Sequence, residues 1–155
     1  MNFVEATKTV AALSDDLAST GTHAMVVDTL GFSHLSMDVC FEAVAAAGTS
    51  STVALVCKLQ SSDTTTASDF ADLTATVGGG TGGFTMPTPA NTTSDVVVRF
   101  DIDLGHAKRY FRTQVTPRTA GGVYSVARLS SKEDANPYDA HTKGVAVAVS
   151  ALGFN

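Results

Sequence analysis

Hydrophobic and polar positions alternate along much of this chain. In "HLSMDVCF" (34–41), Leu35, Met37, Val39 and Phe41 share one parity, and Ser36, Asp38 and Cys40 share the other. "TVALVCKLQ" sets Val53, Leu55, Cys57 and Leu59 against Ala54, Val56, Lys58 and Gln60. "DVVVRFDIDL" is clearest: Val96, Val98, Phe100, Ile102 and Leu104 face in, while Val97, Arg99, Asp101 and Asp103 face out. "GGVYSVARL" and, near the C-terminus, "KGVAVAVSAL" continue the pattern. A period of two predicts strands with one dry and one wet face.

Turn-rich stretches separate these runs every ~10–20 residues, a spacing that suits a sandwich or barrel better than a βαβ fold. Val10, Leu13 and Leu17 also fit a helical period, and "CFEAVAAAG" could close in a short helix ended by Gly48. Neither changes the class. The expected fold is all-β: an antiparallel β-sandwich or jelly roll of about eight strands. Residues 1–22 are expected to form an N-terminal arm or first strand, and residues 23–155 a single β-sandwich domain. The run from Gly78 through Pro87 and Pro89 to residue 94 cannot hold a regular ladder and reads as a long surface loop.

Composition supports this reading. The 155 residues suffice for one domain with its own core, and the excess of Val, Thr, Ala, Ser and Gly over Lys and Glu suits sheets. A formal net charge of −5 argues against a duplex-binding protein, since phosphate affinity rests on many cations. No apolar run approaches the roughly 20 residues that span a bilayer. "MNFVEATKTVAAL" lacks the charged and apolar regions of a secretory leader, so maturation in a cytoplasm is expected. Cys40 and Cys57 have opposite facing on their strands, which predicts two reduced thiols rather than a bridge.

Chemistry-bearing motifs are sparse. The glycine run has no Lys–Ser/Thr closure and is not a phosphate loop. Asp101 and Asp103, with Asp95, could offer oxygens to Ca²⁺, but solvated surface acids are the simpler reading. His23, His34, His106 and His141 show no metal spacing, and no Ser-His-Asp set can be assigned from order alone. Asn91 matches a glycosylation acceptor that a cytoplasmic protein leaves unused. The basic-aromatic stretch "HAKRYFRTQVTP" (106–117) predicts a strand with Phe111 and Val115 in the core and Lys108, Tyr110 and Arg112 on the other face. A hairpin with "DIDL" would set Asp101 and Asp103 beside Lys108 and Arg112, giving the cations local counter-charges.

The segments "VVDTLGFSHLSMDVCF", "VALVCKLQSSDTTTASDFADLTAT" and "VVRFDIDLGHAKRYFRTQVTP" resemble, in spacing and residue type over roughly residues 24–128, a group of small tailed-phage virion proteins. "LQSSD", "SDFADL" and "AKRYFRTQVT" are also similar to discoidin-like, galactose-binding jelly rolls, with Phe70 where those carry Trp. The first resemblance implies a non-enzymatic decoration or cement protein without cofactors or metal. It would be made in a bacterial cytoplasm and seated on the major capsid protein of its virion as a homotrimer or other symmetric cluster, without nucleic-acid or membrane partners. Expected partner contacts are Asn2, Phe3, Val4 and Lys8 in the arm, Gly80, Phe84 and Met86 in the loop, and Lys108, Tyr110 and Arg112 in the basic strand. The alternatives are a tail or head-tail connector subunit, or a carbohydrate-binding module using loops at Asp63–Asp72 and Tyr138–His141.

Overall fold

A computed structural model describes residues 7–17, 21–42, 52–88 and 95–130. They form β1 (Thr7–Leu17), β2 (Val26–Asp28), β3 (His34–Phe41), β4 (Ala54–Ser62), β5 (Ala71–Asp72), β6 (Val96–Asp103), β7 (Tyr110–Pro117) and β8 (Gly121–Ser130). Two short 3₁₀ turns, Ala67–Asp69 and Thr74–Thr76, flank β5. The strands make two four-stranded sheets, ordered β1-β8-β3-β6 and β2-β7-β4-β5, and every pairing is antiparallel. The described residues are thus all-β, in two antiparallel sheets, as the alternation predicts. No helix among the described residues is long and apolar enough to cross a membrane.

Only the β4–β5 connection stays within one sheet; every other link crosses to the opposite sheet. This overturns the expected β6–β7 hairpin, because β6 pairs with β3 and β7 pairs with β2 and β4. The link Leu104–Arg109 bends where Asp103 accepts from the Gly105 N–H at 2.9 Å, and it has length enough to pass between sheets about 10 Å apart.

The core lies between the sheets. Leu35, Met37, Val39 and Phe41 all point into it, opposed by Val53, Cys57, Leu59, Phe111 and Val115. A register irregularity between Ala54 and Val56 corrects the expected β4 pattern: Ala54 turns inward and Leu55 is 52% exposed. The helical spacing in the N-terminal segment is also set aside, since Thr7–Leu17 is a strand paired with β8 over its whole length, from Thr7 opposite Ser130 to Leu17 opposite Gly121. "CFEAVAAAG" beyond Glu42 and the C-terminal "KGVAVAVSAL" lie outside the described residues.

Candidate interaction surfaces

The basic strand faces its own sheet. On β7, Tyr110 and Arg112 share the outer side while Phe111, Thr113 and Val115 are buried. Arg112 stands opposite Gln60 of β4 and Val26 of β2. Its Nε and Nη2 donate to Gln60 Oε1 at 3.0 and 2.6 Å, and Nη2 also donates to the Ala67 carbonyl at 3.3 Å. Gln60 passes the chain on, donating from Nε2 to Asp72 Oδ1 at 2.7 Å, and Lys58 Nζ donates to Asp72 Oδ2 at 2.8 Å. The hydrogen bond from Lys58, more than any other influence, holds the Asp72 carboxyl below its ordinary range. Arg109 reaches Asp28 through Nε and Nη2 at 3.0 and 2.8 Å, with its guanidinium carbon 4.9 Å from the centre of the Tyr110 ring. The counter-charges of the basic cluster are therefore Asp28 and Asp72, not Asp101 and Asp103.

The other sheet carries a second array. Asp38 on β3 lies opposite Arg99 of β6 and Val126 of β8. Arg99 donates from Nε to Asp38 Oδ1 at 2.6 Å and from Nη2 to Oδ2 at 3.3 Å, and Arg128 Nη2 donates to the same Oδ2. The Arg99 hydrogen bond is the main cause holding the Asp38 carboxyl below its ordinary value, against the opposing effect of burial. Beside this ion cluster runs an apolar line. Val97 and Tyr124 flank Cys40 on adjacent strands, and both are exposed. With Arg118 bound to Thr52, each of the five arginines in the sequence donates to an oxygen of its own chain.

Sequence order hid a third feature. His23, wholly buried, has Nδ1 2.6 Å from Asp15 Oδ2 of β1 and Nε2 2.8 Å from Ser125 Oγ of β8. Its backbone is bridged to Val115 of β7, by hydrogen bonds of 2.8 and 3.0 Å. The Asp-His-Ser order matches a hydrolytic triad, but Ser125 is also wholly buried, so its oxygen meets no substrate. The three side chains tie the two sheets together instead.

The remaining sequence-derived positions scatter. Asn2, Phe3 and Val4 lie outside the described residues, and Lys8 sits on β1 opposite Leu129. Gly80 is exposed on the loop. Phe84 is half-buried, edge-on to Phe100 at 5.7 Å between ring centres, and Met86 is 6% exposed within the core. The loop is thus pinned inward by the two large side chains read as contacts, and residues 89–94 lie outside the description. Lys108 is exposed at the rim of a cleft of about 960 Å³ between the sheets, with His34, Asp103 and His106 around it and Ile102 and Phe111 within. No group of three metal-ligating side chains occurs among the described residues. Of the sugar-binding loops, Tyr138–His141 is outside the description, and Phe70 is buried beneath Arg112 with its ring unavailable for stacking.

Comparison of the chain with protein-family models, with curated proteins and with solved structures returns no match.

Proposed function

We propose that this is a non-enzymatic structural protein of a bacteriophage virion, a decoration or cement subunit that binds the major capsid lattice as a homotrimer or other symmetric cluster. The strand orders β1-β8-β3-β6 and β2-β7-β4-β5, with nearly every connection crossing between sheets, support a jelly roll, the double-sheet architecture of many viral capsid domains. The observation that carries the reading is the use of charge. Every arginine is committed to an oxygen within the fold, which leaves sheet faces bearing Val97, Tyr124 and Leu55 exposed among internally neutralised side chains. Such faces favour flat protein contact over capture of a phosphate backbone, and the scarcity of Lys and Glu fits the residue preferences of interface cores.

The test is reconstitution. Purified chain added to undecorated capsids of the cognate phage should appear by electron microscopy as extra density at symmetric positions on the outer shell. Density confined to the tail or the portal vertex would assign it to the connector instead. No binding to any part of the particle, with saturable binding of a glycan, would replace the reading with that of a carbohydrate-binding module.

A further inference from the structure

We propose that β6 is a homodimerisation edge, at which two copies of the chain join their β1-β8-β3-β6 sheets across a two-fold axis centred on Phe100. Four strands end the two sheets, and three of them are poor templates. β2 has three residues and β5 has two, while β1 carries a register irregularity between Thr9 and Ala11. Short strands and bulges are standard protections against edge pairing. The continuation of β4 past β5 is covered as well, since its carbonyls at Leu59 and Cys57 accept from the N–H groups of Leu73 and Gly78. β6 differs. It runs for eight residues in unbroken register with β3, without Pro or Gly, and among the described residues β3 is its only strand partner.

Charge selects both the occupant and the register. The outward positions of β6 read Val97, Arg99, Asp101, Asp103. An antiparallel pair continuing the sheet must join positions of equal parity. Centred on Phe100, it sets Arg99 opposite the partner's Asp101 and Asp101 opposite the partner's Arg99, with Val98 opposite the partner's Ile102 on the core side. A shift of one step either way places Arg99 against the partner's Arg99, or Asp101 against the partner's Asp101. The register centred on Phe100 thus joins opposite charges without any like-charge pair, whereas the one centred on Asp101 keeps two Arg99–Asp103 pairs only by setting Asp101 against the partner's Asp101. Arg99 is able to serve both roles: Asp38 takes its Nε and one Nη2 direction, and its side chain remains 58% exposed, as Asp101 does at 55%. The pairing extends the apolar line at Val97 and Cys40 across the seam, and it holds wherever on a particle the protein sits.

Sedimentation velocity of the purified full chain across a dilution series should show a monomer–dimer equilibrium. Amide hydrogen exchange should show alternate β6 amides, those directed away from β3, gaining protection as concentration rises. Asp101→Arg brings four guanidiniums to the seam and should weaken dimerisation at least about tenfold, with circular dichroism and thermal unfolding of the monomer unchanged. Asp101→Asn, which removes the charge without reversing it, should weaken it less. A chain that stays monomeric, or an assembly indifferent to Asp101→Arg, overturns the proposal. So do edge amides equally protected at every dilution, a result that would put another segment of the same chain on β6.

Discussion

The guanidinium of Arg112 lies over the ring of Phe70, its central carbon 4.3 Å from the ring centre, and its nitrogens reach Gln60 on the next strand and the carbonyl of Ala67. One side chain therefore clamps the loop after β4 onto the sheet. Arg112→Glu removes the cation–π contact and the hydrogen bonds and sets an acid near Asp72. It should cost about 1–2 kcal/mol in urea unfolding and speed proteolysis within residues 63–70. Arg112→Lys, which keeps the charge but loses the planar fork, should fall between the two. Unchanged stability and proteolysis for Arg112→Glu would show that the clamp contributes nothing.

His23 offers a larger effect. His23→Ala leaves a void in the interior and strips Ser125 of its buried hydrogen-bond partner. Loss of about 2–4 kcal/mol in denaturant unfolding is expected, and about 1 kcal/mol for Ser125→Ala, which removes the hydroxyl together with its bond. Equal, small losses for both would contradict an inter-sheet tie. The same geometry bears on deletion of residues 2–19, which lie within the segment expected as an N-terminal arm or first strand and include β1. Their removal would take away β1 and with it Asp15, so deletion should destabilise the domain rather than spare it.

Acid should act through Asp38 and Asp72. Both carboxyls are held below their ordinary value of 3.8, Asp38 chiefly by the hydrogen bond from Arg99 and Asp72 chiefly by that from Lys58. A carboxylate with a lowered folded-state pKa adds stability that is complete above the unfolded value and disappears as pH falls through the folded value. Stability should therefore decline below about pH 5, and Asp38→Asn should flatten that decline while lowering stability at neutral pH. An acid limb of equal steepness in the variant, measured by unfolding at a series of pH values, would exclude Asp38 as a contributor.

The two thiols should differ in reactivity. Burial pushes Cys57 up to about 12, and it also raises Cys40, which is only partly buried on the outer face of β3. A thiol-specific reagent at neutral pH should label Cys40 slowly and Cys57 only on unfolding, since the thiolate is the reacting species. Prior labelling of Cys57 in the native protein would contradict its placement in the core.

Two glycines should respond unequally to the same change. A Cβ on Gly83 would fall 1.8 Å from the Val77 carbonyl oxygen, which is backbone and can yield only if the loop moves. One on Gly122 would meet the carboxylate end of Glu42, which can swing aside. Gly83→Ala should cost about 2 kcal/mol or more and Gly122→Ala well under 1. A reversed order in thermal unfolding would discredit the loop conformation.

The alternation that betrays the strands is a local signal, and β3, β6, β7 and β8 are legible from it down to their inward side chains. Leu55 is the informative exception, because a one-residue irregularity reverses facing without leaving any mark in composition. Pairing is another matter. "DIDL" and "KRYF" sit close in sequence with opposite charges, which argues for a hairpin, yet their strands belong to different sheets. The choice was made by distant segments: β3 for the first, β2 and β4 for the second. The same holds for the chemistry. The His23 contact to Ser125 spans 102 positions and the Arg99 contact to Asp38 spans 61, so spacing alone has no means of announcing either.

The embrace of β1 by β8 has a bearing on how the protein comes to exist in time. Thr7 finds its neighbour only when Ser130 has been synthesised, so the first of the described strands to leave the ribosome waits for the last of them. Closing so wide a loop before any reward is a kinetic burden, and folding in milliseconds to seconds follows for a topology of this kind. During that interval the nascent β3 and β4 stand with their apolar sides bare. Capture by chaperones, or misassociation between polysomes, is a hazard built into the winding itself.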